Sequence, residues 1–279
     1  MAEPTNADQI AYWNAASGRK WAEDADKMDA MMSEMAAAAI AAASPQPGET
    51  VIDVGCGSGG TSLLLADAVG SHGRVLGIDV SHPMLEVARA RAAGRENVSF
   101  LEADAASHVF HGPGADLVFS KFGVMFFADP EAAFANLHGA AKPGGRLAFI
   151  CWRPMAENPF AALPTQAALR HLPPQPRPDP TAPGPFAFAD AVRVGHILTQ
   201  AGFKTPAFAT FDTTMVIGRK PESAAREAVL VGMASRLLMN ESDETREKVI
   251  AELTQTYQGH LGPDGVTLPA RCWIVTASA

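Results

Sequence analysis

Residues 51–60 read V-I-D-V-G-C-G-S-G-G, and this stretch limits the available folds more than any other. A short β-branched run is what a buried strand looks like, and its direct passage into glycines makes that strand turn sharply into a helix. Glycine suits such a turn because it reaches positive φ and lets its backbone come close to another group. The segments that follow alternate. Helix is expected over about 61–69, strand over 74–80, helix over 82–93 with Ser81 as N-cap and Pro83 in its first turn. Strands 98–102 and 116–120, helix 130–140 and, after Pro143-Gly144-Gly145, strand 146–152 continue the pattern. Strands alternating with helices imply right-handed crossovers and an α/β, doubly wound, largely parallel sheet.

The flanks break this rhythm. Residues 1–44 read as a helical cap segment that carries Trp13 and Trp21 and breaks near Gly18. The core is expected at 45–221 and 261–279, with an irregular proline-rich lid at 153–186. Helix 190–201 and strand 203–217 follow, and 222–260 carries two helical patterns inserted before a last strand at 268–276. An antiparallel final pair would bring the sheet to seven strands. Ligands of open α/β sheets bind outside the carboxyl ends of the strands, so lid and insertion are expected to roof the pocket that the glycine loop floors.

Composition excludes several partners. Lys and Arg total 22 against 30 for Asp and Glu, a formal charge of −8 without a basic run, which disfavours nucleic acid. Cys56, Cys151 and Cys272 lack metal-ligand spacing, and no paired acidic cluster suggests a divalent ion. These thiols suit a reducing compartment, and the N-terminus lacks the basic and apolar regions of a signal peptide. The longest purely apolar run, Met35 to Ala43, is too short to span a bilayer. A cytoplasmic protein without a membrane span is the expectation.

Gly55, Gly57 and Gly60 satisfy G-x-G-x-x-G, and Asp79 lies about twenty residues further on, where a carboxylate holds ribose hydroxyls. That much fits either NAD or S-adenosylmethionine. Asp53, inside the strand two residues before Gly55, repels a pyrophosphate and suits a ligand with a cationic amino group. Leu101-Glu102-Ala103-Asp104-Ala105 after the third strand and Lys142-Pro143-Gly144-Gly145-Arg146-Leu147 before the fifth complete the set.

With these motifs, residues 50–152 resemble the class I S-adenosylmethionine-dependent methyltransferases. The resemblance implies a seven-stranded Rossmann-like sheet with helical cap insertions. It also implies that Asp53, Gly55, Cys56 and Gly57 lie against the methionine part of the cofactor and Asp79 against the ribose. Val80 and Met84 would flank the adenine, Asp104 and Ala105 its amino group, and Ser120 the amino-acid end. Trp13-Asn14…Gly18…Trp21, Phe122 to Pro130, Trp152-Arg153-Pro154…Glu157-Asn158-Pro159 and Gly262 to Gly265 are similar to a bacterial small-molecule branch related to the ubiquinone and menaquinone enzymes.

Methyl transfer is an in-line displacement, so the protein positions a nucleophile and removes a proton where the acceptor is a hydroxyl. Of eight histidines, His171 in the lid is the candidate base. Trp13 and Trp21 either pack the cap helices or contact the cofactor. Phe122, Trp152, Arg153 and Asn158 either line the acceptor pocket or belong to core and lid anchors. Ser120-Lys121-Phe122-Gly123 is not the Asn/Asp-Pro-Pro-aromatic tetrapeptide of amide and exocyclic-amine methyltransferases, which disfavours those acceptors. The expected function is methyl transfer from S-adenosylmethionine to an oxygen or carbon of a small apolar or aromatic molecule, with S-adenosylhomocysteine as product. An NAD(P)-dependent oxidoreductase and a non-catalytic S-adenosylmethionine-binding regulator are the alternatives.

Overall fold

The computed structural model describes residues 6–111, 114–176 and 179–279. Helices α1 (Ala7–Asn14), α2 (Ala16–Glu23), α3 (Ala25–Met31) and α4 (Ser33–Ala43) come first. The alternating part comprises β1 (Thr50–Val54), α5 (Gly60–Val69), β2 (Arg74–Asp79), α6 (His82–Arg91), β3 (Val98–Glu102), β4 (Ala115–Lys121), α7 (Pro130–Ala140) and β5 (Ala141–Trp152). Then come α8 (Pro159–Arg170), α9 (Ala191–Gln200), β6 (Lys204–Gly218), α10 (Pro221–Ala228), α11 (Met233–Leu237), α12 (Asp243–Gln258), β7 (Leu261–Gly262) and β8 (Gly265–Ser278).

The sheet runs β3-β2-β1-β4-β5-β8-β6, with β7 attached to β8. Strands β1 to β5 are parallel, whereas β8 is antiparallel to β5, with Trp152 opposite Cys272. The seven expected strands are all present and the two-residue β7 is an addition. Because helices cover both faces of a parallel sheet, its central strands are largely apolar: Val51, Ile52, Leu117, Val118, Phe119, Phe149 and Ile150 are all buried. Strand order reverses between β1 and β4, which opens a crevice beyond their carboxyl ends.

Contacts group the chain into two compact units, one of residues 1–152, 181–211 and 272–279, the other of residues 153–180 and 212–271. In the first, the helical break expected near Gly18 falls at Ala15 instead, which has extended φ and ψ between α1 and α2. Gly18 lies inside α2, and the carbonyl of Trp13 occupies the place a Cβ would take. Strand β5 starts five residues earlier than expected, at Ala141, with a register shift opposite Ala115 and Leu117 that absorbs the Pro143-Gly144-Gly145 turn.

In the second unit, the expected irregular lid contains α8, since Pro159 sits at the helix start, where a missing N–H goes unnoticed. Three helices, α10 to α12, stand where two were expected. Helix α8 packs on α11 and α12, and α10 on α12, around Ala167, Ala168, Ala224, Ala225, Leu238, Val249, Leu253 and Tyr257. The Tyr257 hydroxyl is buried without a hydrogen-bond partner among the described residues, and burial pushes its phenol well up. An unsatisfied buried hydroxyl costs about 1–3 kcal/mol. Tyr257→Phe is therefore expected to raise the melting temperature, and a lower one by calorimetry would show that the hydroxyl is satisfied. No helix among the described residues is long and apolar enough to cross a membrane.

Candidate functional site

Beyond Val54 the chain turns through Gly55 (φ +67) and Gly57 (φ +54) into α5. The amides of Gly55 and Cys56 donate to the Ile78 carbonyl at 2.8 and 3.2 Å, which stitches the loop to the end of β2. Gly55 is glycine because another backbone crosses it: a Cβ there would lie 2.6 Å from the Gly123 Cα. The third motif glycine, Gly60, lies under the carboxylate of Asp29 from α3, which a Cβ there would push aside.

Asp53 is buried at the base of this loop. The Ser62 hydroxyl donates to its Oδ2 at 2.6 Å. Desolvation pushes its carboxyl up to about 7, against the opposing pull of Ser62 and of the charge on Lys121. A buried carboxylate with so little support is a strong attractor for a cation. Asp79 is arranged differently, since its Oδ2 accepts from Gly57 N–H and its Oδ1 from Ser81 N–H, both at 2.8 Å. Burial nevertheless raises its pKa. It thus organises the loop and keeps lone pairs for a second partner.

The remaining expected residues surround these two. The Ala103 amide donates to the Asp79 carbonyl at 3.0 Å, which ties the β3 end to the β2 end. Asp104 Oδ1 accepts from Ala106 N–H at 2.9 Å, and Asn136 donates to the Ala105 carbonyl at 2.9 Å. Met84 is buried, and its terminal methyl lies 2.7 Å from where a Cβ on Gly57 would be. Burial holds the Cys56 thiol well above the usual range, so it stays protonated. Val80 accepts at its carbonyl from the Asn14 side chain at 2.8 Å, and Asn14 Oδ1 takes the His82 amide at 2.9 Å. Ser81 is the residue preceding α6, as expected, but its hydroxyl does not cap the helix; it donates to the Trp13 carbonyl at 2.8 Å.

Trp13 meets Trp21 and Phe126 edge-on, with centroids 6.0 and 5.4 Å apart. Both indoles are partly buried in this cluster. Ser120 is buried, and its hydroxyl donates to Val54 O at 2.8 Å while accepting from Gly123 and Val124 N–H at 3.1 and 3.3 Å. Its polar capacity is spent on clamping the β1 and β4 ends together. Phe122 and Trp152 stack on each other, with centroids 4.2 Å apart.

In the second unit, Asn158 is buried and wholly engaged with backbone: Nδ2 donates to Arg153 O, Pro154 O and Arg271 O, and Oδ1 accepts from Arg271 N–H at 2.8 Å. Arg153 pairs with Glu157 and, at 3.0 Å, with Asp212. His171 closes α8, with Nε2 2.9 Å from Glu252 Oε2. Arg170 pairs with the same carboxylate and is the main reason its pKa is lowered.

Several contributors were not among the expected residues. Ser62, Gly123, Asn14 and the set of Asp29, Arg91 and Lys121 all touch the loop or its supports. Asp29 Oδ2 lies 2.9 Å from Arg91 Nη1, and Oδ1 lies 3.4 Å from Lys121 Nζ. Ser62 shares α5 with two other polar residues, Thr61 and Asp67, so nothing in the sequence alone singles it out. No group of three or more His, Cys, Asp or Glu side chains is placed to hold a metal ion among the described residues.

Residues 51–145 match the model of a family described as a methyltransferase domain. Over 143 residues the chain is 38% identical to aklanonic acid methyltransferase DauC of a Streptomyces species, covering 48% of this chain and 65% of that protein. Over 100 residues it is 37% identical to a demethylmenaquinone methyltransferase of Staphylococcus epidermidis, covering 36% and 42% of the two chains. The chain thus spans less than two thirds of these curated relatives. Among solved structures, the YcgJ protein of Bacillus subtilis aligns with a TM-score of 0.58 at 17% identity, over 88% of this chain and 98% of that one. A putative methyltransferase of Bacillus halodurans aligns with a TM-score of 0.56 at 18% identity, over 87% and 97%. At such identities the likeness concerns the fold.

Proposed function

We propose, from a segment 51–145 that matches the model of a methyltransferase domain, that the protein transfers a methyl group to an oxygen or carbon of a small apolar or aromatic acceptor. The observation that carries this reading is Asp53, a buried carboxylate supported by one hydroxyl, at the base of a glycine loop. A pyrophosphate would meet that negative charge, whereas an ammonium group neutralises it. When bound, S-adenosylmethionine would supply an electrophilic methyl group on a sulfonium. Asp53 and the 55–57 loop would hold its amino-acid end and Asp79 the ribose hydroxyls. Val80, Met84, Asp104 and Ala105 would enclose the nucleobase, with Trp13 and Trp21 on the cap side.

For the acceptor, Phe122 and Trp152 supply apolar surface, whereas Arg153, in the second unit, is paired with Glu157 and Asp212. Asn158, with its amide committed to backbone, supports this reading only by holding its segment. His171 is the candidate base for a hydroxyl acceptor. Since its Nε2 faces Glu252, Nδ1 is the atom left to take a proton.

Mass spectrometry of what the purified protein releases on denaturation tests the reading: S-adenosylmethionine or S-adenosylhomocysteine is expected, and NAD(P) would overturn it. Asp79→Asn is expected to weaken S-adenosylhomocysteine binding by about 1–3 kcal/mol in calorimetric titration, the worth of charged hydrogen bonds. Unchanged affinity would place the ribose elsewhere.

A further inference from the structure

Lys121 ends β4 on the same side of the sheet as Asp53. Asp53 of β1 is paired with Phe119 of β4, and Lys121 stands two residues further along, where a strand returns its side chain to the same face. The Lys121 side chain is only 13% exposed, and its positive charge reaches Asp53. Its ammonium is nevertheless turned to a different carboxylate, with Nζ 3.4 Å from Asp29 Oδ1. Asp29 is itself held at the start of α5. Its Oδ2 accepts from Arg91 Nη1 at 2.9 Å, Arg91 also pairs with Asp26, and the Asp29 carboxylate lies against the place a Cβ on Gly60 would take. Two residues on, Ser62 donates to Asp53.

The charges in this group do not balance. Arg91 and Lys121 supply two positive charges, against three negative ones from Asp26, Asp29 and Asp53. Asp79 adds a further negative charge within reach of Asp53, but its oxygens already accept from two amides. With both cations on Asp29, the carboxylate left over is the buried Asp53, and a ligand ammonium would neutralise it. This distribution depends on Asp29, because lysine carries its charge on a flexible four-carbon stem. Without the Asp29 charge, Lys121 is drawn to Asp53, where burial strengthens the attraction. An ammonium tethered in the same chain then occupies the carboxylate ahead of one arriving from solution.

Resting on the methyl-transfer reading, we propose that Asp29 is a positioning residue for the cofactor: it holds the Lys121 ammonium off Asp53 and so keeps that carboxylate open to the ammonium group of the ligand. Asp29 touches no ligand in this role. It acts through Lys121, so the effect of losing it is reversed by removing Lys121 as well.

The test is calorimetric titration with S-adenosylhomocysteine at pH 8, with thermal melts to show that each variant is folded. Asp29→Asn, which keeps the shape but lacks the charge, is expected to bind about tenfold more weakly than the wild type. Lys121→Met is expected to bind more tightly than the wild type, because a competing cation is gone. The double variant is expected to return to within about threefold of the wild type, which a merely loosened α3 could not produce. Unchanged affinity in Asp29→Asn, or a double variant as weak as Asp29→Asn, would overturn the proposal. Weaker binding by Lys121→Met alone would also overturn it, by showing that Lys121 serves the ligand, and this arm stands even if Asp29→Asn does not fold. Failure of the wild type to bind S-adenosylhomocysteine would instead overturn the methyl-transfer reading, and the role of Asp29 with it.

Discussion

Asp53→Asn is expected to make the protein more stable at pH 8 and nearly unable to hold its cofactor. In the unfolded chain this carboxyl titrates near 3.8, and in the folded protein burial lifts it to about 7. Between these values the folded state keeps a proton that the unfolded state has lost, so stability falls as pH rises through the window. Above the folded value the penalty is complete, of order 4 kcal/mol at ~1.4 kcal/mol for each pH unit separating the two states. Below the unfolded value it vanishes. Asparagine has the same shape, still bonds Ser62 and never ionises, so it removes the penalty. The melting temperature of the variant should exceed that of the wild type by several degrees at pH 8, with the gain shrinking towards pH 4. Its affinity for S-adenosylhomocysteine should fall tenfold or more, since a charged partner for the ammonium group is lost. A stability gain that does not change with pH would show that Asp53 is ionised by some other support. Intact affinity would show that the ammonium group binds elsewhere.

The same residue shows what was legible in the sequence. A carboxylate inside an apolar strand is visible as a breach of the local pattern, and such breaches mark sites. The alternation of strands and helices is likewise local, which is why β1 to β4 and α5 to α7 fall close to expectation. Ser120 and Asn158 read as candidate ligand contacts because a sequence does not show where a polar atom is spent; both are spent on backbone from distant strands and loops. Asp29 was invisible for the same reason: it reaches Gly60 and Lys121 only once α3 has docked. The cap segment broke at Ala15 rather than at Gly18 because Gly18 is required by a close approach of Trp13 inside a helix, not by a bend.

Gly55→Ala is expected to be among the most damaging single substitutions in the fold, and three glycines separate the reasons. Gly48 has φ +86 with nothing within 4 Å of the place a Cβ would take, so Gly48→Ala carries backbone strain alone, about 1–2 kcal/mol. Gly123 has an ordinary φ of −83, but a Cβ there would lie 2.6 Å from Val54 O and 2.8 Å from Gly55 Cα, so Gly123→Ala carries overlap alone. Gly55 combines φ +67 with a Cβ 2.6 Å from the Gly123 Cα. Both obstacles are backbone, which cannot rotate away as a side chain can. Gly55→Ala should therefore cost about 3 kcal/mol or more, with Gly123→Ala between it and Gly48→Ala in urea midpoints. The two strand ends that cross at these glycines are also those that Ser120 clamps and that carry Asp53 and Phe122. Separating them should weaken S-adenosylhomocysteine binding in Gly55→Ala under conditions where the variant is still folded. If Gly55→Ala were no worse than Gly48→Ala, the crossing would be loose enough to open, and the loop would owe its glycine to φ alone.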